Sequence, residues 1–309
     1  MATVTGLYVY AVVAGAPTEL GTGIDGARLD AVHAAGVAAV VHRHAGGPYQ
    51  GADDDVRRWI VEHSDVVDRL WQEGVPVLPM SFNVIVAPGE DDDGDGGEDT
   101  DASARRRLER WLTTHAADLR ARLDALRGRV ELRVDVALDQ HAVAERDEAA
   151  RAVQAELETK PPGVQRLLRR RLDALERQAA DALADELYPT LRRRLAGISE
   201  ELTENRRARP EEGQVPVLAV SLLVAREAMP SVGRELAAVR DEQPAARIRY
   251  LGPWPPYSFA DVPGLEVPGS EGTSTASPST ASPSTASPST ASPSTAAPGT
   301  EVSDRSVPS

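Results

Sequence analysis

A glycine-rich stretch offers one pattern that could bind a cofactor. Gly21–Gly26 has the spacing G-x-G-x-x-G, the fingerprint of dinucleotide-binding loops. That fingerprint needs its first glycine directly after a strand, so that the next helix points its N-terminus at the pyrophosphate. Here Pro17 and Glu19 follow the apolar run that ends at Val13. We therefore interpret the stretch as a loop and expect no bound cofactor.

An acidic segment, residues 90–101, holds eight acids and no bases. Asp91, Asp93 and Asp95 fall at positions one, three and five of a calcium-binding loop, but Ala102 stands where such a loop places a bidentate glutamate. We interpret the segment as a mobile, solvated loop. An alternative interpretation is that the segment binds calcium and that the protein is a calcium-responsive regulator.

Two histidines could begin a metal site, since His42 and His44 lie on the same side of an extended segment. The sequence places no third ligand beside them, so we interpret them as core or solvated residues and predict no metal. The chain also has no cysteine, no G-x-S-x-G nucleophile elbow and no phosphate-binding P-loop. No catalytic constellation emerges, and we predict that the protein is not an enzyme.

Composition limits the classes of partner. The net charge of the 309 residues is −14, and most of it lies in the acidic segment, which leaves a nearly neutral body without the basic face that nucleic-acid binding requires. No apolar run approaches the length of a transmembrane helix, so we predict no nucleic acid partner and no membrane insertion.

The first half of the chain reads as alternating strands and helices. Spacing and caps predict strands at 6–13, 37–43, 75–86 and 130–136, and helices at 25–33, 56–71 and 102–127. Pro76 and Pro79 favour an edge or bent position for the strand at 75–86. This order indicates an α+β sandwich with its helices on one face of the sheet.

The second half predicts a helical middle at 141–204, broken at Pro161–Gly163 and kinked or ended at Tyr188 by Pro189. A strand at 215–224, a helix at 230–240 and a strand at 247–251 follow. The last part of the chain repeats Thr-Ala-Ser-Pro-Ser, which cannot form a core. We therefore predict an α+β domain at 1–137, an α+β domain with a long helical insertion at 138–262, and a disordered tail at 263–309.

The strongest local signal is Gly252–Phe259, with the sequence GPWPPYSF. Its three prolines remove backbone donors, so the segment cannot extend a central strand. Its aromatic rings supply apolar area on a stiff chain. Two interpretations remain open: Trp254 and Tyr257 fill the core of their own domain, or they form a docking surface for a partner.

This segment resembles the signature of the gas vesicle accessory family GvpF/GvpL. Three further stretches resemble that family: Gly6–Ala11 its opening strand, Val77–Phe82 its central Leu-Pro-x-Arg-Phe-Gly-Thr segment, and Leu218–Val224 the strand before its last helix. The residues that carry the resemblance and are candidates for partner binding are Leu78, Pro79, Phe82, Gly252, Pro253, Trp254, Pro255, Pro256, Tyr257 and Phe259. The central segment departs from the family at Ser81–Val84, where arginine and glycine are replaced.

The resemblance implies two α+β domains, the first ferredoxin-like, in a protein of the gas vesicle, a cytoplasmic organelle. It implies binding to the hydrophobic shell protein or to other accessory gas-vesicle proteins during vesicle formation, and no cofactor. A small-molecule-sensing α+β regulator is the alternative, since such folds often bind ligands between sheet and helix.

Overall fold

The structure, a computed structural model, describes residues 5–15, 19–88, 100–206 and 211–262. The calcium-like pattern of the acidic segment and the repeat tail lie outside these residues.

The first half of the chain forms a five-stranded antiparallel sheet in the order β2-β3-β1-β4, with β5 also paired to β1. Its strands are β1 (Thr5–Ala14), β2 (Asp30–Ala34), β3 (Val37–Ala45), β4 (Val77–Pro79) and β5 (Ile85–Val86). Both β4 and β5 lie beside β1 at the edge of the sheet. The predicted edge position is confirmed, but the strand predicted at 75–86 is two short strands separated by residues 80–84.

The predicted helix at 25–33 is wrong. A three-residue 3-10 turn, Ile24–Gly26, is followed by β2, which forms a hairpin with β3. Ala35 and Gly36 connect the two strands with φ angles of 47° and 82°. Two successive residues with positive φ make a turn whose twist matches that of the flanking strands, and this turn favours the hairpin over a helix.

Two helices cover opposite faces of this sheet, α1 (Asp53–Gln72) and α2 (Thr100–Leu126). Side chains alternate across a strand, so Val40 of β3 packs in the α1 cluster and Ala39 in the α2 cluster. The expectation that the helices share one face is therefore wrong.

The second sheet has the order β7-β8-β6-β9 and is also antiparallel. Its strands are β6 (Arg129–Asp139), β7 (Glu201–Glu204), β8 (Gln214–Ala225) and β9 (Ala246–Trp254). The sequence placed β6 in the first domain, which was to end at residue 137. Because β6 pairs along its length with β8, the sheets divide near Gly128 instead. The short strand β7 lies in a stretch predicted to be helical.

The described residues of the second half form the α-helices α3 (Gln140–Ala144), α4 (Glu148–Thr159), α5 (Pro162–Ala196) and α6 (Met229–Glu242). The predicted break at Pro161–Gly163 is confirmed, since it separates α4 from α5. The predicted end at Tyr188 is wrong, because α5 continues through Pro189. A proline inside a helix costs about 3 kcal/mol, and burial of Leu191 and Leu195 in the core beyond it offsets this cost.

Both sheets share one strand order. In each sheet, the first strand of that half lies between its third and fourth strands. The second strand lies at the edge of the sheet, beside the third strand. This is the order of the β-α-β-β-α-β ferredoxin-like fold. The second half has both crossover helices, whereas in the first half the turn at Ile24–Gly26 stands in place of the first helix. The α+β class is confirmed.

The loop Gly21–Gly26 packs closely on the sheet. The amide of Gly23 donates to the carbonyl of Ala27, and the amide of Gly26 donates to the carbonyl of Gly23. No long helix follows this loop, which leads into β2. A Cβ atom on Gly23 would lie 2.1 Å from the hydroxyl of Tyr10. The glycine is therefore needed for close packing.

We expect Gly23→Ala to lower the free energy of unfolding by about 1–3 kcal/mol, the usual cost of overpacking a core. Urea denaturation measures this loss. Gly47→Ala is the matched control, since nothing lies within 4 Å of a Cβ atom built there. Equal stabilities of the two variants would show that the loop yields without strain.

Candidate functional site

The GPWPPYSF motif ends the edge strand β9 and then crosses the molecule; we call residues 252–262 the strap. Trp254 pairs with Glu131 of β6. Pro255 and Pro256 are buried, and Tyr257–Phe259 form a single 3-10 turn. Gly252 and Pro253, just before this turn, belong to β9. Gly252 has a φ of 117°, and a Cβ atom there would lie 2.8 Å from the carbonyl oxygen of Glu131, so this position requires glycine.

Phe259 joins the two sheets. Its side chain is 2% exposed and lies in one cluster with Leu223 of β8 and the leucines of α2. The Nε of Arg122, on α2, donates to the carbonyl oxygen of Phe259 at 2.7 Å. The strap therefore packs against its own chain at the junction of the halves.

A buried carboxylate fixes the strap from the other side. Glu131 is 6% exposed, and its oxygens accept hydrogen bonds from the hydroxyl of Ser221 at 2.7 Å, the hydroxyl of Ser258 at 2.6 Å and the amide of Ser258 at 2.8 Å. The side-chain amide of Asn205 donates to Ser221. Burial of a charged group is costly unless such partners satisfy it. This network thus determines where the strap lies.

The central motif also lies inside the protein. Leu78 and Pro79 are buried, and Leu78 belongs to the same cluster as Phe259. Phe82 is half-buried and packs, like Tyr257, against the cluster under α1. The fold therefore brings the two predicted motifs together in its interior. Only Gly252 is exposed among the ten candidate residues, while Phe82, Pro253, Trp254 and Tyr257 keep partial exposure.

A hydrogen-bonded pair of tyrosine and histidine lies beneath α1. The Nε2 of His63 is 3.0 Å from the carbonyl oxygen of Met80, which can only accept, so Nε2 carries the proton. The Nδ1 atom then accepts from the hydroxyl of Tyr8 at 2.9 Å. The amide of Asn83 donates to the same hydroxyl. These contacts fix the tautomer of His63.

A second pair of tyrosine and histidine, beside the first, connects β1 and β3 with the turn at Ile24 and the loop at Tyr49. The hydroxyl of Tyr10 accepts from the amide of Ile24 at 2.8 Å, so its proton goes to the Nδ1 of His42 at 2.9 Å. The Nε2 of His42 then donates to the hydroxyl of Tyr49 at 3.3 Å. His42 is thus a core residue, as one interpretation of the sequence proposed.

Burial controls the protonation of this network. It lowers the pKa of His63 and of His42 to about 4, with a smaller contribution from His44 to the latter. It raises the pKa of Tyr49 to about 12 and moves the pKa of Tyr8 upward. Both buried imidazoles are therefore neutral at pH 7, and we assign the network a structural role.

The described part of the chain contains no group of three metal-ligating side chains. His42 and His44 lie with ring centroids 5.8 Å apart, and the Nε2 of His44 donates to the carbonyl of Gly47.

A groove of about 310 Å³ runs between α3, α4 and α5, with His141 and Glu176 hydrogen-bonded in its wall. Nor is any described helix apolar over enough residues to cross a bilayer.

Sequence reasoning missed Glu131 and the pairing of tyrosines with histidines. Tyr8 and Tyr10 are two residues apart in the predicted strand at 6–13 and so share one face of it, and the register of β1 with β3 brings His42 beside them. The signal for Glu131 is weaker: a lone acid at the start of an apolar strand.

We expect the histidine network to make stability depend on pH. A histidine in the unfolded chain has a pKa of about 6.5 and binds a proton below that pH. In the folded chain, His42 and His63 bind a proton only near pH 4. The free energy of unfolding is therefore highest above pH 6.5 and falls between pH 6.5 and 4, by at most about 3 kcal/mol per histidine. Asp68 has the opposite slope, because burial raises its pKa to about 6.

Denaturation curves at several pH values test this, and His63→Gln should have a shallower pH slope than the unmodified chain. His33→Gln, which removes an exposed imidazole on β2, is the control. An unchanged slope in His63→Gln would contradict the assignment.

The network around Glu131 gives a second expectation. Glu131→Gln places an amide group among three donors, and we expect a loss of about 1–3 kcal/mol in unfolding free energy, the cost of unsatisfied buried polar groups. Glu145→Gln, at an exposed position, is the control. Equal unfolding free energies for both variants would show that the strap does not need the carboxylate.

Comparison with known proteins gives one consistent result. The family model described as gas vesicle synthesis protein GvpL/GvpF matches residues 6–261. Gas vesicle protein L1 of Halobacterium salinarum is 30% identical over 272 residues, which cover 82% of this chain and 90% of that protein. Gas vesicle protein L2 of the same organism is 31% identical over 273 residues, covering 82% and 91%.

Solved structures agree at the level of the fold. The crystal structure of gas vesicle protein GvpF from Microcystis aeruginosa superposes with a TM-score of 0.56 at 17% identity, covering 83% of this chain and 99% of that one. The family match extends from β1 into the strap and includes both motifs singled out in the sequence. This chain therefore belongs to the GvpL/GvpF family of gas vesicle synthesis proteins.

Proposed function

We propose that the protein is an accessory factor that binds the hydrophobic shell protein, or another accessory gas-vesicle protein, while the vesicle forms. The observation that carries the proposal is the family match across the folded body, residues 6–261. The gas vesicle is accordingly the site of its action. The proposal includes no reaction, cofactor or metal.

The physical reason for such a factor is the behaviour of a hydrophobic subunit in water. A free subunit with a large apolar surface is expected to aggregate before it is incorporated. A soluble partner that offers the edge of a sheet can pair with an exposed strand and hold the subunit in a defined arrangement.

Most residues of the two motifs are buried or half-buried, so the motifs offer little surface to a partner. We propose the outer edge of β9 as the docking edge. The other edge of its sheet, β7, has only four residues, and Glu201 and Glu204 on it are paired with Arg122 and Arg192. Long edges accept additional strands more readily than short ones.

The edge of the first sheet at β2 is also covered. Arg105 of α2 forms an ion pair with Asp30 and donates to the carbonyl oxygen of Ala31. The edge strand β9 also carries arginines, Arg247 and Arg249, but it has nine residues and presents Tyr250, which is 39% exposed. Trp254 lies half-buried at its end. An exposed aromatic ring at the edge of a sheet is a suitable anchor for an apolar strand.

Co-expression of the full chain with the shell subunit, followed by affinity purification, tests this function. We expect the shell subunit to co-purify with the unmodified chain and to be recovered at least about tenfold less with Tyr250→Glu, since a charge on the edge opposes strand addition. Val61→Glu is the matched control, because Val61 is 51% exposed on α1.

Thermal melting confirms that each variant is folded. Failure of the shell subunit to co-purify at every salt and detergent condition would contradict shell binding. Equal loss with both variants would contradict the assignment to β9.

A further inference from the structure

We propose that the far end of the helical hairpin formed by α4 and α5 binds an acidic amphipathic helix of a partner protein. We call α4 together with residues 160–178, which include the first half of α5, the helical arm. The three hydrophobic clusters of the body include residues of α5 only from Ala179 onward. Within the arm, Leu168 of α5 and Val153 of α4 are buried where the two helices pack.

The arm holds a run of basic side chains that form no ion pair within the described residues. Residues 160–171 contain five bases and no acid, although the chain as a whole has a net charge of −14. Within the described part of the chain, none of these five side chains forms an ion pair; they are Lys160, Arg166, Arg169, Arg170 and Arg171. Elsewhere arginines commonly pair with acids of their own chain, for example Arg58, Arg105, Arg129, Arg194 and Arg247.

An apolar stripe lies among these bases. Leu167 is 69% exposed and Val164 is 44% exposed, and both are among the most exposed large apolar side chains of the described residues. Val164, Leu167 and Arg171 recur at i, i+3 and i+7, so they share one side of α5. Apolar side chains at this spacing are typical of a surface that packs against another helix.

The combination specifies the chemistry of the partner. A helix with an apolar stripe would cover Val164 and Leu167, and acids beside its stripe would face the unpaired arginines. A nucleic acid fits less well, because it has no apolar stripe to cover Val164 and Leu167. An anionic lipid surface fits less well, because residues 160–178 offer these two exposed apolar side chains and no aromatic ring, less than the apolar face of an interfacial helix. The arm is separate from the β9 edge, so this inference does not depend on shell binding.

Designed peptides test the proposal with the full chain. One peptide of about 20 residues, long enough to form an isolated helix, carries a leucine stripe flanked by glutamates, and a second carries the same stripe flanked by lysines. We expect fluorescence anisotropy to show at least about tenfold tighter binding of the acidic peptide, and weaker binding at high salt.

Two variants locate the site. Charge reversal at Arg170 and Arg171 to Glu should weaken binding of the acidic peptide by about tenfold, and Leu167→Ser should also weaken it. The matched controls are Arg110→Glu on α2 and Val61→Ser on α1, both exposed, which should leave affinity unchanged. Circular dichroism confirms that each variant keeps its helices.

Four outcomes would overturn the proposal. The first is no saturable binding of the acidic peptide, and the second is equal affinity for both peptides. The third is an equal effect of the site variants and the control variants. The fourth is binding to anionic vesicles, lost in the arm variants, by a chain that does not bind the peptide. Sedimentation adds a fifth: if the unmodified chain dimerises and the charge-reversal variant does not, a second copy is the occupant.

Discussion

The three hydrogen bonds that the Glu131 carboxylate accepts determine how the C-terminal end of the folded body is arranged. A buried carboxylate is tolerated only with partners, and here Ser221 and Ser258 supply them. Once Ser258 is held, Phe259 lies directly at the cluster that β8 and α2 share. The hydrogen bonds of Glu131 fix the position of the strap, and burial of Phe259 provides most of the stabilising free energy. Without these hydrogen bonds, the ring of Phe259 would have no fixed position in the cluster.

Local patterns predicted most of the secondary structure because their physical causes are local. The alternation of Val130, Leu132, Val134 and Val136 and the three- and four-residue steps of α2 are visible in any window of sequence. The hairpin at Ala35 was missed because its turn needs positive φ at a residue other than glycine, which composition does not reveal. At Pro189 the cost was local, but the compensation, burial of Leu191 and Leu195, came from the tertiary structure.

The candidate site was harder to predict for the same reason. The aromatic and proline-rich motif was found from its composition, but the sequence could not say which way its rings point. Ser258 is 127 residues from Glu131, and no spacing rule connects them. Residues at such distances meet only through strand order and register. Conspicuous motif residues proved to be mostly internal, whereas the plain arginine run of α5 lies on the surface.

The shared strand order has a consequence for how such chains vary in length. In both halves the connection between the first and second strands leaves a central strand and re-enters the sheet at the edge, beside the third strand. In the first half it is a glycine turn, and in the second it is the α3–α5 excursion. Growth or shrinkage at this point changes how far the molecule extends while hydrogen bonding between strands is preserved. This crossover therefore acts as an adjustable spacer, where evolution can alter reach at little cost to the scaffold.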